Sequence, residues 1–256
     1  MTRGDSDVQG LIERAAEKIA SARKAVALTG AGISVDSGIP AFRGTQGLWD
    51  KYDPMEYATI DAFVANPVKI WTMLRELGDL IGGAKPNGGH AGLAELESLG
   101  KLSSIVTQNV DGLHQAAGSS SVIEFHGNGR RLICLSCKRR YDREQIPMDS
   151  FPPMCVCFNV LKPDVVFFGE LIPMHALMAA HAEVEECDLM LVVGTSAQVE
   201  PAASLPYSAK SRGATIIEIN PEPTPLTHNI ADIAIHESAT NALPAIAAAV
   251  RGLLRE

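Results

Sequence analysis

The chain lacks any hydrophobic run long enough to span a membrane, although 46% of its 256 residues are apolar. Its first residues, Met1 to Asp7, are polar and contain no apolar signal core. We therefore expect a cytoplasmic protein with no membrane partner. A basic excess is also missing, since the formal net charge is −8, and direct nucleic-acid binding is not expected because phosphate recognition needs a basic face.

Cysteine is scarce, with five in the chain, and four of them fall within one short segment. In a reducing compartment such clustering indicates a metal site rather than disulfides. Four thiolates around one ion are typical of structural zinc. The predicted metal ligands are Cys134, Cys137, Cys155 and Cys157.

Glycine is concentrated in the stretch 29–44, which reads TGAGISVDSGIPAFRG and follows a short apolar run at 25–28. A strand, a glycine turn and a helix start form a geometry that holds phosphate, because free N–H groups face the anion. The usual Gly-x-Gly-x-x-Gly spacing fails at Val35, so a plain strand–helix turn remains an alternative. Phe42 and Arg43 add an aromatic face for a sugar and a guanidinium suited to pyrophosphate.

Apolar runs alternate with segments of helical periodicity along most of the chain, and this predicts an α/β fold with a doubly wound parallel sheet. The strands are expected at 25–28, 102–107, 122–125, 189–193, 216–219 and 230–235. The carboxyl ends of parallel strands line one rim. Polar residues follow these strands at 30–43, 108–111, 126, 194–196 and 220, which predicts one extended dinucleotide site.

These motifs together resemble the sirtuins, the NAD-dependent protein lysine deacylases. The matching segments occur in the family's order and are 29–44, 107–111 with His114, 125–127, 165–170, 194–196 and 219–221. The resemblance implies a Rossmann-like NAD-binding domain over 1–44, 89–127 and 171–256. It also implies a small domain made of a helical insert, 45–88, and a zinc-binding insert, 128–170. NAD and an acyl-lysine protein or peptide would share the cleft between them.

The resemblance also assigns roles to single residues. His126 would be the general base on a ribose hydroxyl, and an ordinary histidine pKa of about 6.5 suits that task. Asn109 would position the nicotinamide ribose, and Asp111 the carboxamide. The implied NAD-contacting residues are Gly30, Ala31, Gly32, Ser34, Phe42, Arg43, Gln108, Asn109, Asp111, Gly194, Thr195, Ser196, Asn220 and Ala239. The implied peptide-binding residues are Val165, Val166, Phe167, Phe168, Gly169 and Val199.

The chain departs from the family pattern at three places. The second cysteine pair is separated by one residue instead of two, which strains the proposed zinc site. The segment 238–240 contains less glycine than the corresponding segment of the family, and we expect this difference to alter NAD affinity. Leu74 and Leu77 stand where members selective for succinyl groups have a tyrosine and an arginine, and Arg75 should point away from the channel. We therefore expect acetyl, and longer apolar acyl groups, as substrates.

Three other functions fit parts of the same pattern. An ADP-ribosyltransferase on this fold would use the same NAD site. A non-catalytic NAD-binding sensor would need neither His126 nor Asn109. A hydride-transferring dehydrogenase is disfavoured because Val35 replaces the third glycine of the Gly-x-Gly-x-x-Gly motif and because no separate catalytic domain is evident.

Overall fold

The computed structural model describes residues 3–42, 47–146 and 151–255. Its strands are β1 (Ala25–Thr29), β2 (Ser104–Thr107), β3 (Val122–Glu124), β4 (Gly127–Cys134), β5 (Arg140–Asp142), β6 (Leu161–Val165), β7 (Leu189–Val193), β8 (Thr215–Ile219) and β9 (Ile233–Ile235). Six of them form a parallel sheet in the order β3-β2-β1-β7-β8-β9, and the other three form an antiparallel sheet in the order β5-β4-β6.

The helices are α1 (Arg3–Ser21), α2 (Leu48–Lys51), α3 (Pro54–Tyr57), α4 (Ile60–Ala65), α5 (Pro67–Gly83), α6 (Gly88–Ser98), α7 (Leu113–Ala116), α8 (Met174–Glu186), α9 (Ser204–Ser211), α10 (Pro225–Asn229) and α11 (Ala239–Leu253). Over the described ranges, no helix combines the length and apolar character that crossing a bilayer requires.

The parallel sheet is covered on both faces, which explains its strand sequences. Every residue of β1 and β7 is buried, and apart from Thr29 at the end of β1 both strands are continuous apolar runs rather than alternating ones. On one face the core includes Ile19, Leu93 and Leu243, from α1, α6 and α11. On the other it includes Val184 and Leu205, from α8 and α9. The predicted doubly wound α/β fold is confirmed.

The chain changes direction across the sheet between β1 and β7. From β1 it builds outward through β2 to β3, and it later returns to the opposite side of β1 with β7, β8 and β9. Thr29 and Val193 are paired at the carboxyl ends of these two central strands. Ligands of open α/β sheets bind in the crevice at such a switch point.

The glycines after β1 serve the packing of two turns against each other. The Gly32 N–H donates to the Gly194 carbonyl at 2.8 Å, and the Gly30 N–H donates to the Val193 carbonyl at 3.1 Å. A Cβ on Gly32 would lie 2.7 Å from the Gly194 oxygen. The missing side chains therefore allow the two backbones to meet. The expected helix start is a 3₁₀ helix, Ala31–Ser37, whose Gly32 amide is already used.

The small domain is built around a buried tryptophan. Trp71 on α5 is fully buried and its indole N–H donates to the Leu161 carbonyl at 2.8 Å. Phe63, Leu132 and Phe167 belong to the same core, so the helical insert and the small sheet share one apolar interior. The strands expected from the sequence do not include 161–165, but β6 lies there and pairs with β4 in this second sheet.

We predict that Gly32→Ala lowers the free energy of unfolding by about 2 kcal/mol or more, because two backbones must separate to admit the methyl group. Gly10→Ala is the matched control, since Gly10 lies inside α1 with nothing within 4 Å of a Cβ. That control should raise stability by about 0.5–1 kcal/mol. Urea unfolding monitored by circular dichroism measures both; equal stability of Gly32→Ala and the natural chain would contradict the packing account.

Candidate functional site

A large cleft, with a volume of about 940 Å³, lies between the carboxyl rim of the parallel sheet and the small domain. This volume falls within the range of about 300–1,000 Å³ usual for ligand sites. The sequence-predicted residues that line it are Gly30, Ala31, Gly32, Phe42, Gln108, Asn109, His126, Val165, Val166, Phe167, Phe168, Gly169, Gly194, Thr195, Ser196, Val199 and Asn220. Segments far apart in sequence therefore meet in one place.

Three predicted NAD-contacting residues do not line the cleft. Ser34 and Asp111 are 1% and 5% exposed and lie behind the lining residues, where the Ser34 hydroxyl donates to Asp111 Oδ2 at 2.8 Å. Ala239 is buried at the start of α11, and its neighbour Ser238 lines the cleft instead. Arg43, also predicted to contact NAD, lies outside the described residues.

A buried polar network holds Asn109 in one orientation. The His90 Nδ1 accepts from the Asn87 backbone N–H, so Nε2 carries the proton and donates to the Ser34 hydroxyl at 3.4 Å. The Asn109 amide donates to that hydroxyl at 3.2 Å and to the Gly30 carbonyl at 3.1 Å. Both N–H bonds of Asn109 are thereby used. The side-chain oxygen is the group that Asn109 offers to the cleft, where it can accept from a ligand hydroxyl.

His126 has the protonation state of a general base. Its Nδ1 lies 3.1 Å from the Gln108 carbonyl, and because a carbonyl only accepts, Nδ1 carries the proton and Nε2 has a free lone pair. Burial lowers the pKa of His126 below its ordinary value, and the bond to the Gln108 carbonyl opposes that shift. The ring is therefore neutral near pH 7 and can take a proton at Nε2.

Three aromatic side chains, Phe42, Trp49 and Phe168, form an aromatic wall of the cleft. The Phe42 ring stacks on Trp49 at 5.2 Å between centroids, and Trp49 meets Phe168 at 6.4 Å. Trp49 is not among the site residues that the sequence predicts. Most other lining residues outside the prediction are apolar, and they include Leu48, Tyr57, Met73, Leu74, Leu77, Val110, Ile172 and Leu177, although Asp36, Glu170, Glu200 and Glu222 also line the cleft.

The apolar lining carries no cation from α5. Leu74 and Leu77 face the cleft, whereas the Arg75 guanidinium lies over the Phe151 ring at 5.4 Å. Arg75 therefore points away from the cleft, as its place between the two leucines predicted. A carboxylate in this part of the cleft would be desolvated without a partner, which is costly, while an alkyl chain would be stabilised by burial.

The four clustered cysteines come together in the small domain as predicted. Their sulfur atoms all lie within 4.8 Å of one another, with 3.5 Å between Cys134 and Cys157 and 3.6 Å between Cys137 and Cys155. Sulfurs around a tetrahedral zinc ion are about 3.8 Å apart, and a disulfide would bring them to about 2 Å. The residues fit zinc, and the short spacing of the second pair does not prevent four ligands from converging.

Hydrogen bonds support the shortened second pair. The Tyr141 hydroxyl is hydrogen-bonded to Cys155 Sγ at 3.1 Å, and the Asn159 amide donates to Cys157 Sγ at 3.5 Å. The Cys157 backbone amide and the Tyr141 hydroxyl lower the pKa of the Cys155 thiol to about 6. Such partners orient metal ligands and favour the thiolate form. Four thiolates leave no open coordination position, so the zinc would be structural.

Comparison with known proteins identifies the family. The model of the Sir2 family matches residues 30–201, more than half of the chain. NAD-dependent protein deacylase 2 of Pyrobaculum aerophilum is 45% identical over 241 residues, which cover 94% of this chain and 96% of that protein. This chain belongs to the Sir2 family. A second family model, the central domain of thiamine pyrophosphate enzymes, matches residues 160–246 and includes neither Asn109 nor His126.

Solved Sir2 structures share the whole architecture. A Sir2 homologue with a serine-to-alanine substitution, in complex with ADP-ribose, has a TM-score of 0.92 and 45% identity, covering 95% of this chain and 98% of that one. A Sir2 protein bound to a myristoylated histone peptide has a TM-score of 0.80 and 37% identity, covering 96% of this chain and 98% of that one. The Sir2 fold therefore extends over both the sheet and the small domain.

We predict about one zinc ion per chain, since the cluster supplies four sulfur ligands. Cys137→Ser should lose the metal and lower the melting temperature, while NAD affinity should change little because the cluster is not part of the cleft. Cys187→Ser is the control and should keep its zinc, because Cys187 stands apart from the cluster. Metal analysis and calorimetry measure these effects. A zinc-free natural chain of unchanged melting temperature would contradict the assignment.

Proposed function

We propose that this Sir2-family chain removes acetyl and longer apolar acyl groups from protein lysines, consuming NAD and giving nicotinamide, O-acyl-ADP-ribose and free lysine. The observation that carries the proposal is the neutral His126 with a free Nε2, placed in the cleft that also contains Asn109 and the aromatic wall. The activity in the relative's name and the acylated peptide in a Sir2 structure support it.

In this proposal the carboxyl rim of the sheet binds NAD. The turns 30–32 and 194–196 run beside the pyrophosphate, and Asn220 lies at the adenosine side after β8. The Asn109 oxygen accepts from the nicotinamide ribose and fixes its orientation. Orientation matters because the acyl amide oxygen is a weak nucleophile, and a fixed near-attack geometry lowers the barrier.

His126 then acts on a hydroxyl of the same ribose. Its Nε2 takes the hydroxyl proton as the oxygen attacks the acyl carbon, and the Gln108 carbonyl stabilises the protonated ring through Nδ1. Phe42, stacked on Trp49, covers the sugar after nicotinamide leaves and keeps water from competing. The acyl chain lies along Leu74 and Leu77.

The peptide would bind as an added strand beside the segment 165–169. Among the described residues, the Val166 carbonyl and the Gly169 amide have no intramolecular partner. The backbone groups of Phe168 are not available to the peptide, because its amide donates to the Ala58 carbonyl and its carbonyl accepts from the Ile60 amide. With Val199 on the opposite side, main-chain pairing would give affinity with little sequence preference.

Two further predictions from the sequence stay proposals. We propose that the NAD-binding domain and the small domain have the predicted boundaries, with residues 45–88 and 128–170 as the two inserts. We also propose a cytoplasmic location.

The test of the function is incubation with NAD and an acetyl-lysine peptide, followed by product mass. We expect equal amounts of nicotinamide and deacetylated peptide, with the acetyl group on ADP-ribose. His126→Ala should lower turnover by about 10²–10⁴-fold and leave NAD affinity largely unchanged. As the pH is lowered, kcat/KM of the natural chain should fall with a midpoint below about pH 6.5. The reason is that the base must be neutral and that the pKa of His126 is lowered.

Other products would contradict the proposal in distinguishable ways. A peptide that keeps its acetyl group and gains ADP-ribose would indicate the transferase alternative. NAD binding without turnover would indicate a sensor. A His126→Ala variant that keeps more than half of the natural turnover would show that another group removes the proton.

The acyl preference follows from the uncharged channel. On one peptide sequence, we expect acetyl- and butyryl-lysine to be used and succinyl-lysine to be at least about tenfold poorer, because its carboxylate finds no cation there. Leu77→Arg should raise kcat/KM for succinyl-lysine, whereas the control Arg75→Leu should leave all three unchanged. Succinyl turnover equal to acetyl in the natural chain would overturn this account of the channel.

A further inference from the structure

A buried lysine closes the segment that follows β6. Lys162 is 2% exposed, and its Nζ donates to Glu170 Oε2 at 2.8 Å and to the Val165 carbonyl at 2.5 Å. The same ammonium lies over the Phe167 ring, 4.4 Å from its centroid. No other lysine among the described residues is buried in this way. One cation thus contacts the beginning, middle and end of the segment 165–170.

Glu170 supplies the second half of this arrangement. Its Oε2 accepts from Lys162 and also from the Phe167 backbone N–H, at 2.8 Å. The Glu170 amide donates in turn to the Phe167 carbonyl at 3.0 Å. The backbone between Val165 and Glu170 is therefore held in one bend by a lysine–glutamate pair. This pair is called the Lys162–Glu170 clamp below.

The position of the clamp indicates a role beyond stabilising the fold. A buried ion pair is weak support for stability, since the loss of hydration offsets most of the attraction. A well-packed apolar pair would serve stability as well. What the clamp determines is the path of the backbone that carries the free Val166 carbonyl and Gly169 amide, and the place of Phe168 against Trp49.

We propose that Lys162 is a positioning residue for the acyl-lysine peptide: through Glu170 it holds 166–169 in the conformation that pairs with the peptide strand and completes the aromatic wall. This inference rests on the proposed function, because it takes the acyl-lysine peptide as the ligand of that segment. Lys162 itself does not line the cleft. Its effect is transmitted by the carboxylate and the Phe167 amide.

The test compares Lys162→Met with Lys51→Met. Lys51 is a matched control, since it also pairs with a glutamate, Glu76, at 2.5 Å and lies 4.9 Å from a tyrosine ring, but is exposed. We expect Lys162→Met to raise KM for an acetyl-lysine peptide about tenfold, to change KM for NAD less than about twofold, and Lys51→Met to change neither. Lys162→Arg should recover part of the loss, since it keeps the charge.

Hydrogen exchange of the Phe167 amide gives a readout that does not need activity. It should become about tenfold faster in Lys162→Met, because the carboxylate that accepts this N–H loses its anchor. A double variant, Lys162→Met with Glu170→Gln, should raise the peptide KM by less than the effects of the two single variants combined, because the two side chains act as one unit.

Unchanged peptide KM together with unchanged Phe167 exchange would overturn the proposal. An equal rise in both KM values would also overturn it, since a merely structural role predicts that result. If the natural chain fails to deacylate, the proposed function fails and the peptide role of the clamp with it. Slow Phe167 exchange that depends on Lys162 would in that case still establish the clamp as a property of the fold.

Discussion

The contact between two backbone turns at the centre of the sheet is the constraint on which the site depends. The turn after β1 and the turn after β7 meet at the switch point of the sheet, where Gly32 and Gly194 are in direct backbone contact. Gly194 has a φ of +58°, and a Cβ on it would lie 2.4 Å from the Ile33 nitrogen. Only glycine allows this approach. Because the turns touch, the crevice has a continuous floor.

The polar groups around Asn109 and His126 are arranged in two layers. Behind the surface, neutral His90 and the hydroxyl of Ser34 satisfy the Asn109 amide and the Asp111 carboxylate. In front, Asn109 and His126 each expose one acceptor atom. A fully satisfied buried network fixes side-chain orientation, and so the two acceptors are presented to the ligand without reorganisation. On the other side of the cleft, Cys134 and Cys155 of the four-cysteine cluster share one core with Trp71 and Phe167.

The sequence was most informative where local pattern alone decides the structure. The apolar runs of β1 and β7 predicted buried parallel strands. The polar residues after them predicted a rim site, because the carboxyl ends of parallel strands lie along the same edge of the sheet. The cysteine spacing predicted one four-sulfur cluster. The first two inferences needed only the apolar pattern and the rules of sheet topology, and the third needed only the spacing of the cysteines.

Features that depend on contacts between distant segments were harder to predict from the sequence. Gly30 and Gly32 suggested a ligand cradle, but their partner is Gly194, far along the chain. Ser34 and Asp111 belonged to the right motifs yet face inward, because they orient Asn109. Trp49 and Lys162 carried no signal of their role. Their functions follow from neighbours brought together by the small domain, which has little periodicity in sequence.

The most direct measurement is a crystal structure of the chain with a non-hydrolysable NAD analogue and an acetyl-lysine peptide. We expect the pyrophosphate beside the turns 30–32 and 194–196. We also expect His126 Nε2 within about 3.2 Å of a hydroxyl of the nicotinamide ribose, the reach of a general base. The acetyl group should lie on the Leu74 and Leu77 side of that ribose. A nucleotide bound elsewhere, or a nicotinamide ribose beyond the reach of His126 with the peptide in place, would contradict the account.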